Sequence, residues 1–298
     1  MAKKKKNSNI SFPNITRKEV KIKKIIKQYP KCDNINNLKI PNDTCNIITD
    51  FEVKNIENFH LKLNKYAQFS EELDRFVFDE QIEEFNFSNY EDIPKVDKKI
   101  LKQLNLNLYE CLFELDYRLK IGAEESIYET SIKLHHIYGI PYIPSSAIKG
   151  VVRSYMIYKY FEKELNEYSD RYYEFEKDIL FNDDDFKYYF GTPNKEGNII
   201  FFDAFPATKP TIKVDIMNPH YGDYYNDDKA PTDTNNPIPI NFLTVEDTTF
   251  QFFIGSKETI DQSFINLFEE ALKNQGIGSK TAIGYGYFAP LEIKEAKL

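Results

Sequence analysis

The sequence predicts an α+β fold of the ferredoxin-like (RRM-like) kind, two β-α-β halves separated by a long insertion. Three observations predict it. A period-two stretch, Tyr109–Ile121, leads into an amphipathic helix and then an apolar strand. A second strand–helix–strand series, from Thr248 to Ile293, closes the chain. Between the two halves, residues 207–242 show no sustained periodicity. Taken in order, this is the split β-α-β arrangement that RNA-recognition domains also use.

The first half opens where Phe113, Leu115, Tyr117, Leu119 and Ile121 alternate with Glu114, Asp116, Arg118 and Lys120. The segment Ile140–Arg153 follows. Pro141 and Pro144 disfavour helix in the residues before them, so the chain arrives extended and turns helical after Pro144. Ser145 or Ser146 can cap that helix, and Ile148, Val151, Val152 and Tyr155 define its buried face. Lys149 and Arg153 stand four apart and leave from one exposed face beside Gly150. Free N–H groups at a helix start with two cations in the first turns make a phosphate seat. The same features also describe an ordinary capped helix with solvated charges. Beyond the acidic stretch Tyr160–Ile179, Asn198–Phe205 reads as a buried strand closed by Pro206.

In the second half, Thr248–Ile254 reads as a strand stopped by Gly255. A helix then carries Ile260, Phe264, Leu267, Phe268, Ala271 and Leu272 on one face, and a last strand lies near Leu291 and Ile293. Between them stands Gly276-Ile277-Gly278-Ser279-Lys280-Thr281-Ala282-Ile283-Gly284-Tyr285-Gly286. Glycines permit consecutive N–H groups to face an anion, while Lys280 and Thr281 add a cation and a hydroxyl. The spacing is not that of a Walker loop, and the loop follows a helix, where a dinucleotide fingerprint would follow a first strand; it suits a phosphodiester backbone better than a nucleotide cofactor. The first hundred residues read as an extension, with helical spacing in the later part of Asn58–Phe78 and a helix over 95–106.

Composition narrows the class. A chain of 298 residues with 41% hydrophobic and 15% aromatic content supports a sizeable core. No run approaches the roughly 20 apolar residues that span a bilayer, and the N-terminus lacks an apolar signal region, so a cytoplasmic protein is expected. Cys32, Cys45 and Cys111 lack metal-site pairing and read as reduced structural thiols. Residues 1–31 hold eleven Lys or Arg against Glu19 alone; this +10 segment leaves −18 on the rest of a chain of net charge −8. Such an arm can touch RNA, dock on a partner or stay solvated. A basic helix is expected over residues 15–29, stopped before Pro30. In the insertion, Asn218, His220, Tyr221, Tyr224 and Tyr225 place stackable rings in a polar segment, where each ring can hold a nucleobase for about 1–3 kcal/mol.

The helix start Ile143–Arg153 and the loop Gly276–Gly286 together resemble the RAMP superfamily of CRISPR-associated proteins. That family is marked by an I-P-G-S-S-L-K-G-x-x-R helix start and a C-terminal G-x-G-x-K-T-x-x-G-Y-G loop. Within it the sequence is similar to the sixth-subunit family of type III-B Cmr effectors, through Asn58–Tyr66, Tyr138–Arg153, Asp215–Tyr225 and Asn236–Val245. Ser145 stands where the family has glycine, and Ala147 where it has its second serine. The resemblance implies one RAMP domain over 56–298: a helical extension (56–108), a first β-α-β half (109–206), a thumb-like insertion (207–242) and a second half (243–298). Residues 1–55, the basic arm, lie outside it. It implies a non-catalytic subunit that grips the crRNA backbone toward its 3′ end through Ser145, Ser146, Lys149, Gly150, Arg153, Gly276, Gly278, Ser279, Lys280, Thr281 and Tyr285. The implied thumb, with Asn218, His220, Tyr221, Tyr224 and Tyr225, reaches the guide–target duplex. Implied partners are crRNA, target RNA, a neighbouring backbone RAMP subunit and the subunit capping the 3′ end; no cofactor or metal is expected.

The competing class is a metal-independent endoribonuclease that processes guide RNA, which needs a base near the scissile 2′-hydroxyl. His135 and His136 precede the helix start, but neighbours on a strand point to opposite faces, which leaves one packed and one solvated. The acid runs Asp183–Asp185 and Asp227–Asp228 could collect Mg²⁺ but read more simply as solvated loop charge.

Overall fold

A computed structural model describes residues 56–78, 82–88, 90, 103–104, 106–122, 127–128, 130, 132–163, 176–179, 182–218 and 239–296. The basic arm, Cys32, Cys45, most of the helix expected over 95–106, and His220, Tyr221, Tyr224, Tyr225 and Asp227–Asp228 of the insertion lie outside these residues.

The extension begins with helix α1 (Phe59–Lys65), whose first turn is closed by Asn58 accepting from the Leu61 N–H. Strands β1 (Gln68–Ser70) and β2 (Arg75–Val77) then pair as a hairpin. Helix occupies the early part of Asn58–Phe78 and strand the later part, the reverse of the predicted spacing. Phe69 and Phe76 face each other across the hairpin with ring centroids 5.2 Å apart, a cross-strand pair that imitates helical spacing when read along the chain.

The central sheet is antiparallel. Strand β3 (Asn107–Leu115) ends sooner than its alternation, because the chain bends at Asp116 and Tyr117 and β4 (Arg118–Leu119) joins a different sheet. Helix α2 (Ser145–Lys163) follows, then α3 (Asp184–Phe190), capped by Asp183, which accepts from the Phe186 N–H at 2.6 Å. That cap gives the Asp183–Asp185 run a local structural use.

The expected Asn198–Phe205 strand is broken. After a small hairpin, β5 (Gly191–Thr192) with β6 (Lys195–Glu196), come β7 (Ile200–Phe201) and β8 (Phe205–Pro206). Pro206 is the last residue of β8, opposite Phe250, so it closes the edge strand as expected, and the missing N–H costs little there. Strands β9 (Thr211–Met217) and β10 (Ile240–Glu246) pair from Ile240↔Met217 to Glu246↔Thr211, so both ends of the insertion are regular. Strand β11 (Thr249–Ser256) runs through Gly255, which does not stop it. Helix α4 (Gln262–Asn274) and strand β12 (Phe288–Glu295) finish the fold.

The main sheet has the order β12-β3-β11-β7, with β8 also paired to β11. β4, β10 and β9 form a separate three-stranded sheet. Phe113, Phe250, Phe252, Phe264, Phe268 and Phe288 are fully buried between the central sheet and the helices. All six apolar positions predicted for this helix face are buried, although Ile260 precedes α4, which starts at Gln262 after the Asp261 cap.

Candidate nucleic-acid interface

Helix α2 begins at Ser145, so neither serine precedes it as a cap. The Pro144 carbonyl accepts from Ala147 and Ile148, and the Ser145 N–H donates to the Asp203 carboxylate at 2.6 Å. Paired bonds between Ile143 and Ala204, both 2.9 Å, hold Asp203 across from the helix start. Part of the expected phosphate seat is therefore filled by the chain's own carboxylate.

Lys149 crosses to α3, donating from Nζ to the Phe190 carbonyl at 2.9 Å. Arg153 pairs with Glu176 at 3.4 Å and lies over the Phe186 ring. Both cations keep partial exposure, and Gly150 between them is open, since an added Cβ would meet nothing within 4 Å. Ser145, Ser146 and Lys149 line a cavity of about 680 Å³ with Phe190, Ile199, Phe201 and the β5–β6 hairpin. Two cations (Lys149 and Lys195), the Glu196 carboxylate, hydroxyls and an aromatic floor meet there.

The glycine-rich loop is organised differently from expectation. Lys280 adopts a left-handed conformation at φ 64° and opens a short turn over Thr281–Ile283. Most of the loop's N–H groups are used internally: Ile277 donates to Gly286, Ser279 to Lys120, Tyr285 to Lys280 and Gly286 to Arg118. The row of N–H groups imagined as facing an anion is thus largely spent within the loop itself, with Ser279 and Gly286 holding it against the end of β4. Gly278 is required there, because with φ 99° its Cβ would stand 2.4 Å from the Lys120 carbonyl oxygen.

The loop offers side chains instead. Ser279, Thr281 and Lys280 retain exposure, and the Lys280 ammonium sits 4.9 Å from the Phe242 ring centre. Lys120 is buried beside it, pushed down to about 8 by burial first and by the charge of Lys280 second.

Tyr285 is buried, not displayed. Its hydroxyl donates to Asp215 on β9, and burial, reinforced by Asp215, pushes it up to about 12. Asp215 also pairs with Arg118 at 2.6 Å, and Arg118 with Glu246 at 2.9 Å. Burial alone would raise Asp215; bonds from Tyr285, the Ile216 N–H and Arg118 prevail and hold it below the ordinary carboxylate range. This network ties the glycine loop to the foot of the insertion, where Asn218 is exposed at the end of the described strand. The two predicted elements are linked more directly by Gln275, whose amide donates to Ser154 of α2 at 3.0 Å just before the loop.

His135 and His136 do not point to opposite faces. They lie at a turn, not along a strand, with rings stacked 5.2 Å apart. His135 packs among Tyr138, Tyr142 and Phe205, and its Nδ1 accepts from the Tyr138 N–H at 3.4 Å. Burial and the neighbouring His136 lower its pKa, and His60 is lowered by burial and the same neighbour. Cys111 is buried in the core, where burial pushes its thiol up to about 12. Among the described residues, no cluster of His, Cys, Asp or Glu is arranged to hold a metal ion. Nor is any of their helices long and apolar enough to cross a membrane.

Sequence reasoning missed Asp203, Lys120, Arg118, Asp215 and Glu246. Their partners lie tens of residues or more away, so no local spacing announces them.

Residues 112–289 match the RAMP superfamily, a span that takes in both the α2 start and the glycine-rich loop. The chain belongs to the RAMP superfamily. Among RAMP relatives it is 37% identical to the CRISPR system Cmr subunit Cmr6 of Pyrococcus furiosus, over 58% of this chain and 65% of the relative. It is 28% identical to the Cmr6 subunit of Saccharolobus solfataricus, over 66% of this chain and 63% of that one. The chain thus spans a little under two thirds of these relatives. Its fold also resembles a chain in the cryo-EM structure of the type III-B Cmr-beta complex bound to cognate target RNA. That match has a TM-score of 0.52 at 21% identity and covers 87% of this chain and 78% of the other.

Proposed function

We propose that this RAMP protein is a non-catalytic, RNA-binding subunit of a type III-B CRISPR effector complex. It grips the crRNA backbone toward its 3′ end and contacts the guide–target duplex. The observation that carries this reading is the family match running through the two predicted gripping elements, in a chain 37% identical to a Cmr6 subunit. The order β12-β3-β11-β7 supports a ferredoxin-like core, since it sets the last strand beside the first and the third beside the second. The β9–β10 pair supports a thumb-like insertion whose foot is the Arg118–Asp215–Tyr285 network. Expected neighbours are a backbone RAMP subunit and the subunit capping the crRNA 3′ end, in the cytoplasm.

The histidine environment favours a role without chemistry. His135 has one nitrogen engaged by the Tyr138 N–H and its ring enclosed by aromatics. The test is RNA binding by the full chain over a salt series, with repeat RNA and guide–target duplex in EDTA. Lys149→Ala with Lys280→Ala should weaken binding and lower the salt slope by roughly one for each phosphate no longer neutralised. Unchanged binding would refute the RNA-gripping role, and cleavage abolished by His135→Ala or His136→Ala would refute the non-catalytic one.

A further inference from the structure

The position of Asp203 is anomalous for a surface that grips a polyanion. Its Oδ1 is fixed 2.6 Å from the Ser145 N–H, at the point where a phosphate would otherwise be seated. The paired Ile143–Ala204 bonds prevent the carboxylate from swinging away with its strand. No hydrogen bond to its Oδ2 occurs among the described residues, and the side chain keeps partial exposure. His135 senses its charge without bonding to it. Lys149 and Lys195 line the adjoining cavity together with Ser145, Ser146 and Phe201.

A carboxylate is acceptor-only and repels phosphate, so an RNA strand cannot set a phosphate against it. With phosphates on Lys149 and Lys195, the groups left to meet Asp203 belong to the sugar or the base edge. The ribose 2′-hydroxyl is a donor found at every nucleotide of RNA and absent from DNA. We infer that Asp203 accepts a hydrogen bond from a ribose 2′-hydroxyl at the start of helix α2 and so makes this site selective for RNA over DNA. The inference rests on the RNA-gripping reading and adds to it the residue that discriminates the sugar.

The test is equilibrium binding of the full chain to a short single-stranded RNA of mixed sequence and to derivatives carrying one 2′-deoxy sugar at each position in turn. Wild type should lose roughly ten- to a hundredfold in affinity at one position, the value of a hydrogen bond to a charged acceptor. In Asp203→Ala that penalty should fall below about twofold, since the acceptor is gone. Asp203→Asn keeps an oxygen for the Ser145 N–H, and with it the fold, and should also shrink the penalty. Thermal melts establish that each variant is folded. A penalty of undiminished size in folded Asp203→Asn, or RNA binding by wild type with no sensitive position, overturns the role of Asp203 and leaves the RNA reading standing. Wild type that binds no RNA overturns that reading and this one together.

Discussion

At Gly150 an added Cβ would meet nothing within 4 Å, and the residue lies inside α2. At Gly286 the same atom would stand 1.9 Å from the Ile277 carbonyl oxygen, at φ 74°. The two substitutions should therefore have opposite signs. Gly150→Ala should stabilise the protein by about 1 kcal/mol, because alanine loses less backbone freedom in a helix. Gly286→Ala should cost at least about 3 kcal/mol, through left-handed strain and a clash with backbone that cannot retreat. Urea unfolding checks both. Gly150→Ala also probes function, since a more stable protein that binds RNA more weakly can only have lost close approach of the ligand. Single residues were unevenly legible in the sequence. Lys149 and Gly150 could be placed from spacing on one helix, whereas the burial of Tyr285 depends on Asp215, 70 positions away. Ser145 could be read as a cap only because Asp203, 58 positions on, carries no local sign of taking its N–H.

Between elements, the Arg118–Asp215–Tyr285–Glu246 network joins β4, β9, β10 and the glycine loop. Asp215 is held below the ordinary carboxylate value of about 3.9, so its bonds stabilise the fold above that pH. The contribution is lost as pH falls through the lower folded-state value. Asp215→Asn should cost about 1–3 kcal/mol at neutral pH and flatten the fall in stability below about pH 4, as read from urea midpoints across pH. Tyr285 works in the other direction. Its folded-state value of about 12 exceeds the ordinary one of about 10, so stability is full below pH 10 and lost as pH rises toward 12. Tyr285→Phe should remove that alkaline loss. Helices α2 and α4 were legible because their apolar residues repeat at helical spacing and face one core. The hairpin β1–β2 and the broken edge β7–β8 were not. Short strands of two or three residues give too little alternation, and cross-strand aromatic pairs imitate a helix.

For the molecule as a whole, the mixture of helices with an antiparallel sheet could be inferred from the sequence, because strand-like and helix-like periods alternate along it. What could not be inferred was how the insertion is mounted. Its ends form their own sheet with β4, in continuous register from Thr211 to Met217 and from Ile240 to Glu246. Among the described residues, Phe113, Phe252, Phe264, Phe268 and Phe288 pack around the central sheet and α4. Phe252→Ala should therefore cost about 3–5 kcal/mol, the usual loss for a fully buried phenylalanine. Replacing 219–238 with a short glycine-containing turn should leave the melting temperature within a few degrees, because loop length changes closure entropy only slowly. The same replacement should weaken binding to guide–target duplex more than binding to single-stranded crRNA, if the grip on the backbone belongs to α2 and the glycine loop. Equal weakening of both ligands would show that backbone grip and duplex contact are one surface. The network at Arg118 supplies a reason to expect separation: it anchors the foot of the insertion to the glycine loop, so the foot stays in place when the tip is removed.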